Sequence, residues 1–146
     1  MNFLGAGKSA DYVVTGAWSE KALSDAKSVT ALLSGSVRVA GTSGTGEGKE
    51  KSYVRVAGAS DIKWDAQAVY AHVTTNETIH GVQYGLSEAS EVPGGSAPLV
   101  ADMSSDFLWR ATDVSKYGML YAGAQKNLGP SGVTLVIVRR ELVEQG

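Results

Sequence analysis

Val133-Thr134-Leu135-Val136-Ile137-Val138 is the clearest β-strand signal in the chain, because it is apolar at nearly every position and rich in β-branched residues. Four shorter apolar runs precede it: Tyr12-Val13-Val14, Val69-Tyr70-Ala71-His72-Val73, Leu99-Val100-Ala101 and Met119-Leu120-Tyr121-Ala122. Several of these runs are apolar at both alternating positions, which is typical of strands covered by helices on both faces of a sheet. The runs therefore predict an α/β fold with a mostly parallel sheet and helices on both faces.

One amphipathic helix is predicted between the first two runs. Ser19 is a candidate cap for a helix that extends to about Ser28. The residues near its apolar face are Trp18, Ala22, Ala26 and Val29. Residues 41–51 and 92–98 are rich in glycine, charge or proline and predict surface connections. A parallel sheet needs several strand–helix–strand crossovers. Because only one long helix is predicted, the sequence indicates that this chain is part of a larger protein.

Composition limits the classes of function. The 146 residues suit one domain, and 13 Lys and Arg against 15 Asp and Glu provide no basic patch for a nucleic acid or a membrane surface. The chain has no cysteine, which excludes disulfides, zinc ribbons and thiol catalysis. There is no apolar run of membrane-spanning length, and the segment Met1-Asn2-Phe3-Leu4-Gly5 does not look like a signal peptide. A cytoplasmic protein without membrane or nucleic-acid partners is expected.

Three further features fail as binding motifs. Gly5-Ala6-Gly7-Lys8-Ser9 resembles the end of a P-loop, but Asn2 stands where that motif needs glycine, and a strand follows instead of a helix. Gly44-Thr45-Gly46-Glu47-Gly48-Lys49 lacks the last glycine of a dinucleotide-binding turn. His72 and His80 have no metal-site spacing, so they are interpreted as core or surface histidines and no metal is expected.

Lys126 is the first candidate functional residue. It follows an apolar strand within the segment Tyr117-Gly118-Met119-Leu120-Tyr121-Ala122-Gly123-Ala124-Gln125-Lys126-Asn127-Leu128-Gly129-Pro130. Its glycine and alanine neighbours have little bulk, and a bound ligand is one candidate to fill the space beside the lysine. An amine that is partly removed from water is a nucleophile that condenses with an aldehyde. A solvated structural lysine is the alternative.

Asp102 is the second candidate, because it ends the apolar strand Leu99-Val100-Ala101. Ligands of open α/β sheets bind outside the carboxyl ends of the strands, so Asp102 and Lys126 are predicted to share one crevice. Pyridoxal phosphate requires such a pair: a lysine that holds its aldehyde and a carboxylate that keeps its ring nitrogen protonated. The alternative is that Asp102 only caps a helix or a turn.

Four blocks then carry a family resemblance. They are Ala10-Asp11-Tyr12-Val13-Val14-Thr15-Gly16-Ala17-Trp18-Ser19, Asn76-Glu77-Thr78-Ile79-His80-Gly81-Val82, Ala101-Asp102-Met103-Ser104-Ser105-Asp106-Phe107-Leu108 and Ala122-Gly123-Ala124-Gln125-Lys126-Asn127-Leu128-Gly129-Pro130. Together and in this order they resemble the phosphoserine aminotransferases, a family of class V pyridoxal-phosphate enzymes. The resemblance implies that this chain is part of the large domain of a fold-type I pyridoxal-phosphate-dependent transferase. It also implies a homodimer with small-molecule substrates, 3-phosphohydroxypyruvate and glutamate.

The resemblance implies a role for each matching residue. Lys126 matches the lysine that bonds the cofactor and moves the substrate proton, and Asp102 matches the partner of the pyridine nitrogen. Trp18 matches the indole stacked on the cofactor ring, Thr78 the hydroxyl bonded to its phenolic oxygen, and Gln125 a ligand of its phosphate. Without the resemblance, Trp18 would be interpreted as a core residue at a helix start and Thr78 as a capping threonine in a turn.

The resemblance is partial. Family members have a Gly-rich phosphate-binding turn upstream of the first block and a carboxy-terminal small domain with a substrate-binding arginine, and neither has a counterpart in this sequence. Residues 1–146 are therefore interpreted as the central part of the cofactor-binding large domain. Two alternatives stay open: a non-catalytic fragment that acts only as a binding module, and another class V aminotransferase with different substrates.

Overall fold

Six strands form one mixed sheet in a computed structural model that describes residues 3–87 and 90–144. The strands of the chain are β1 (Ser9–Val14), β2 (Ser36–Thr42), β3 (Ala68–Thr74), β4 (Asn76–Glu77), β5 (Val82–Gln83), β6 (Leu99–Asp102), β7 (Met119–Gly123) and β8 (Thr134–Val138). The order in the sheet is β2-β1-β3-β6-β7-β8, and β4 pairs with β5 in a separate small hairpin. The helices are α1 (Ala17–Leu33) and α2 (Arg140–Glu144).

The predicted α/β fold with a mostly parallel sheet is confirmed, and every predicted apolar run lies on a strand. All pairs within the large sheet are parallel except that β8 runs antiparallel to β7. β8 also differs from the prediction of strands covered on both faces, because it has one neighbour and its side chains are half-buried or exposed. The prediction missed β2, whose central Arg38 interrupts the apolar pattern.

The bounds predicted for the helix were wrong at both ends. α1 begins at Ala17, so Ser19 lies inside its first turn, and the helix continues to Leu33 rather than to about Ser28. It ends where Ser34 adopts a left-handed conformation with φ of 54° and its backbone N–H bonds the carbonyl of Thr30. The start is set by a contact from outside the helix, because the Glu77 carboxylate accepts the N–H groups of Trp18 and Ser19.

The two faces of the sheet are covered in different ways. Leu23 of α1 packs on the face formed by side chains such as Tyr12, Tyr70 and Val100. The opposite face packs against residues of irregular segments between the strands: Ala57, Ile62, Met103, Phe107 and Tyr117. Within residues 3–87 and 90–144, therefore, no long helix covers the second face, because loop residues supply the apolar surface there.

The parallel ladder places the ends of neighbouring strands side by side. Thr74 at the end of β3 pairs with Asp102 at the end of β6, and Asp102 pairs in turn with Tyr121 of β7. Side chains opposite each other in a ladder point to the same face of the sheet. The carboxyl ends of β3, β6 and β7 therefore place a row of polar side chains on the face that α1 covers.

Candidate functional site

A cleft of about 540 Å³ lies between α1 and strands β3, β6 and β7. Its lining includes Trp18 from α1, Asp102 from the end of β6, and Gln125 and Lys126 from the segment after β7. Four of the five residues predicted from the sequence therefore line one cleft. The fifth, Thr78, contacts the site through Trp18.

Asp102 is half-buried at the carboxyl end of β6. Its Oδ1 accepts a hydrogen bond of 2.9 Å from the backbone N–H of Ser104, so it also has the turn-capping role considered as an alternative. The hydroxyl of Ser104 accepts a bond of 3.0 Å from the N–H of Gly123 and ties the ends of β6 and β7 together. These bonds fix Asp102 beside the segment that carries Lys126.

Lys126 is exposed, and the small residues Gly123 and Ala124 precede it. Its Nζ lies 4.7 Å from the centre of the Trp18 ring, a distance at which a cation is attracted to an aromatic face. The turn that carries Lys126 is anchored on both sides, because Gly129 N–H bonds Ala124 O at 2.7 Å and Asn127 Nδ2 bonds Phe107 O at 2.7 Å. The Lys126 side chain is thus directed over Trp18.

Trp18 is 38% exposed and is held at both ends. Its backbone N–H donates to Glu77 Oε2 at 2.8 Å, and its indole Nε1–H donates to the hydroxyl of Thr78 at 2.9 Å. The short hairpin that supplies Glu77 and Thr78 therefore sets both the position of Trp18 and the orientation of its ring. The exposed part of the ring faces the cleft and Lys126.

Sequence reasoning missed Glu77, although it lies in one of the four blocks. Its side chain is fully buried, and its two oxygens accept bonds of 2.8 Å from the N–H groups of Trp18 and Ser19. A carboxylate is stabilised at this place because the first N–H groups of a helix lack partners within the helix and carry partial positive charge. The available signal in the sequence was an acid directly before a turn, but the helix that it caps lies 59 residues earlier in the chain.

Sequence reasoning also left His72 without a role. It is 5% exposed, lines the cleft, and its Nε2 lies 3.0 Å from the hydroxyl oxygen of Tyr121. Burial lowers the pKa of His72 to about 4, and the negative charge of Asp102 opposes part of that effect. His72 is therefore a neutral core histidine that faces the candidate site.

Among residues 3–87 and 90–144, no group of three or more His, Cys, Asp or Glu side chains is arranged to hold a metal ion. In the same part of the chain, no helix has the length and apolar character needed to cross a membrane.

Comparison with known proteins identifies the family. The sequence profile described as aminotransferase class-V matches residues 2–146. The chain belongs to the class V aminotransferases. As a member of this family it resembles the phosphoserine aminotransferase of Aromatoleum aromaticum, with 50% identity over 143 residues that cover 98% of this chain and 37% of that relative. The resemblance inferred from the four sequence blocks is confirmed.

Solved structures support the same family. A phosphoserine aminotransferase from Trichomonas vaginalis, described as PLP-bound, is 35% identical, with a TM-score of 0.80 over 98% of this chain and 37% of that chain. One from Bacillus circulans subsp. alkalophilus is 46% identical, with a TM-score of 0.78 over 94% of this chain and 34% of that chain. This class V aminotransferase chain thus spans little more than a third of the length of the relatives it matches.

Proposed function

We propose that the chain forms the central cofactor-binding part of a phosphoserine aminotransferase. The whole enzyme would bind pyridoxal 5′-phosphate and convert 3-phosphohydroxypyruvate and glutamate into 3-phosphoserine and 2-oxoglutarate. The observation that carries the proposal is the cleft that brings the amine of Lys126, the carboxylate of Asp102 and the ring of Trp18 together. A homodimer and a cytoplasmic location belong to the same proposal.

The residues present fit this cofactor. The cleft of about 540 Å³ lies within the usual range for small-molecule sites, about 300–1,000 Å³. It offers a primary amine for an aldehyde, a carboxylate for a ring nitrogen and an aromatic face for a flat heterocycle. When bound, pyridoxal phosphate supplies a positively charged ring that withdraws electrons from the substrate α-carbon.

Each residue has a role that follows from its chemistry. Lys126 Nζ is the primary amine that would hold the cofactor's aldehyde, and as a free amine it would remove and return the substrate proton. Asp102, an anion held at the end of β6, keeps a ring nitrogen protonated. Trp18 provides a fixed flat surface, and the Gln125 amide is a donor for phosphate oxygens. Thr78 orients Trp18, because its hydroxyl oxygen accepts the indole N–H.

The attachment site tests this proposal. The chain is incubated with pyridoxal 5′-phosphate and reduced with borohydride, and the peptides are mapped by mass spectrometry. The expected result is a pyridoxyl group on Lys126 that disappears in Lys126→Arg and remains in the matched control Lys116→Arg. A label on Lys8 or Lys116 instead of Lys126 would contradict the assignment.

A second candidate is a binding module without turnover. Charge-assisted hydrogen bonds to a phosphate contribute about 1.5–3 kcal/mol each, so a chain with few of them binds the cofactor weakly. An assay of amino transfer from glutamate to 3-phosphohydroxypyruvate distinguishes the two candidates. Turnover above that of free pyridoxal phosphate rules out the module, and turnover only with other oxo acids indicates another class V aminotransferase.

A further inference from the structure

Asp106 is a buried carboxyl group that the proposed function does not use. It is 7% exposed and lies in the segment that follows β6. Its Oδ1 lies 2.6 Å from the hydroxyl oxygen of Thr75, and its Oδ2 accepts a hydrogen bond of 3.2 Å from the side-chain N–H of Gln83. The carboxyl group thus contacts the residue directly after β3 and the strand β5 of the small hairpin.

These contacts connect the elements that carry the candidate site. The backbone N–H of Thr75 donates to the carbonyl oxygen of Asp102 at 3.0 Å, and the Thr75 hydroxyl oxygen lies 3.0 Å from the same carbonyl oxygen. Gln83 belongs to the hairpin β4–β5, whose side chains hold Trp18 in place. Asp106 therefore links the end of the strand that carries Asp102 to the hairpin that positions Trp18.

The two contacts of the Thr75 hydroxyl indicate where the protons lie. A hydroxyl has one proton to donate, whereas a backbone carbonyl and an ionised carboxylate only accept. A separation of 2.6 Å between the oxygens of Thr75 and Asp106 is that of a full O–H···O bond with its own proton. If Asp106 were ionised, the Thr75 proton would be used in that bond. The Thr75 oxygen would then face the Asp102 carbonyl oxygen at 3.0 Å with no proton between them.

A neutral Asp106 satisfies all of these contacts. Its Oδ1–H donates to Thr75 Oγ1, the Thr75 hydroxyl donates to Asp102 O, and its Oδ2 accepts from Gln83. Burial raises the pKa of Asp106 above the ordinary value of 3.8 and outweighs the opposite effects of its hydrogen-bond partners and of Arg110, while the charge of Asp102 adds to the rise. The hydrogen-bond geometry and the burial of the group therefore both favour the protonated form.

We propose that Asp106 is a positioning residue which, as an uncharged carboxylic acid, holds the end of β6 against the small hairpin through Thr75 and Gln83. It acts through these residues, because its own side chain lies outside the lining of the cleft. It fixes the backbone from which Asp102 reaches the cleft, and it does so without adding a second negative charge near the end of β6. Its meaning for the reaction rests on the proposed function, in which Asp102 is the partner of a ring nitrogen.

The protonation state of Asp106 in the cofactor-free chain is the first test. The ¹³C chemical shift of the side-chain carboxyl carbon distinguishes the protonated form from the ionised form, and the Asp106 signal is assigned by its loss in Asp106→Asn. At pH 6, more than two pH units above the ordinary pKa of 3.8, we expect Asp106 to be protonated and the exposed Asp113 to be ionised. An ionised Asp106 at this pH would overturn the proposal whether or not the chain binds a cofactor.

Matched variants provide the second test. The amide of Asn donates to Thr75 and accepts from Gln83 as the neutral acid does, whereas Ala does neither. Asp106→Ala should weaken pyridoxal 5′-phosphate binding about 3- to 10-fold, the effect of about one neutral hydrogen bond, and Asp106→Asn should stay within about 2-fold of the parent chain. The control Asp113→Ala changes an exposed aspartate that bonds only Ser115 of its own turn, and it should also stay within about 2-fold. Binding is followed by the quenching of tryptophan fluorescence, and urea unfolding shows whether each variant is folded.

Thr75→Val separates the connected bonds from independent structural effects, because Val has nearly the shape of Thr without its hydroxyl. Thr75→Val combined with Asp106→Ala should bind the cofactor about as well as the weaker single variant, since both changes remove the same chain of bonds. No loss in Asp106→Ala, equal losses in Asp106→Ala and Asp106→Asn, or additive losses in the double variant would overturn the proposal and leave the proposed function intact. If the parent chain fails to bind the cofactor, the proposed function fails. The NMR measurement then still decides the protonation of Asp106, as it also does if Asp106→Ala does not fold.

Discussion

Glu77 caps the start of α1, because Gly16 has no side chain that could do so. Gly16 directly precedes α1, and the Glu77 carboxylate accepts the N–H groups of Trp18 and Ser19 in the first turn. A Cβ on residue 16 would lie 2.5 Å from the Glu77 carboxyl group, so the glycine makes room for this cap. The same hairpin positions the indole of Trp18 through Thr78, and the capping contact therefore determines part of the site.

Removing the Glu77 carboxylate should destabilise the fold. Glu77→Ala leaves two buried N–H groups without a partner and removes a negative charge from a helix N-terminus, which costs about 2–4 kcal/mol in the free energy of unfolding. Glu47 is exposed, so Glu47→Ala is a matched control and should change stability by less than about 0.5 kcal/mol. Urea unfolding of both variants measures the difference, and an equal effect of the two changes would contradict the capping role.

Acid should destabilise the chain through His72. Its folded-state pKa of about 4 lies below the ordinary value of 6.5, so the unfolded state binds a proton in this window that the folded state rejects. The stabilisation of the folded state by neutral His72 is therefore fully present above pH 6.5. We expect the free energy of unfolding to fall by about 2 kcal/mol between pH 7 and pH 5. Urea unfolding at both pH values measures this loss.

The variant His72→Gln isolates the histidine in that experiment. Burial raises the pKa of Asp106, so this carboxyl group binds a proton more readily in the folded state and acts in the opposite direction as the pH falls. The difference between the parent chain and His72→Gln removes this contribution. A pH dependence that is unchanged in His72→Gln would show that His72 is not the source.

Elements of the sheet are also held by close backbone contacts, and β2 is an example. Its free side is covered by the segment around Ile62, where Gly41 forms an antiparallel bridge with Ile62 and Lys63 N–H bonds Ala40 O at 2.8 Å. A Cβ on residue 41 would lie 2.6 Å from the backbone oxygen of Asp61. This segment thus protects an edge strand that would otherwise expose its N–H and carbonyl groups.

Gly41→Ala should separate this segment from β2. Because the clash is with backbone and cannot be relieved by turning a side chain, we expect a loss of about 1–3 kcal/mol in the free energy of unfolding. Gly94 has no atom within 4 Å of its would-be Cβ, and Gly94→Ala is the matched control with little effect. Hydrogen exchange of the Lys63 amide should accelerate in Gly41→Ala alone. Unchanged exchange and stability in Gly41→Ala would contradict the close contact.

The two edges of the large sheet are protected to different degrees, and the edge formed by β8 is the less protected one. Among residues 3–87 and 90–144, β8 pairs with β7 alone, and its Val136 and Ile137 are 52% and 38% exposed. Exposed apolar edge strands favour association between chains. These exposed apolar side chains lie on an edge strand, whereas the exposed Leu32 lies near the end of the helix α1.

The chain should therefore self-associate through β8 as its concentration rises. Val136→Lys places a charge on the edge strand and should shift sedimentation towards the monomer. Leu32→Lys, which removes an exposed leucine from a helix rather than from the edge strand, should leave the sedimentation profile unchanged. If both lysine variants reduce association equally, general charge repulsion is responsible and the edge is not the contact surface.

The sequence by itself determined five of the six strands of the large sheet, its mostly parallel character and the residues of the resembling blocks. Apolar alternation is a local property. Asp102 is the last residue of β6 and Lys126 lies three residues after β7, so a short window of sequence contains their signal. The helix bounds were wrong because the start of α1 depends on Glu77, which lies 59 residues after Trp18.

Only the tertiary structure decided which side chains support the site. The bond between Trp18 and Thr78 joins residues 60 apart, and that between His72 and Tyr121 joins residues 49 apart. Such contacts depend on which strands are neighbours in the sheet, and no local pattern encodes that order. The exposure of Lys126 and the burial of His72 follow in the same way from what packs around them in space.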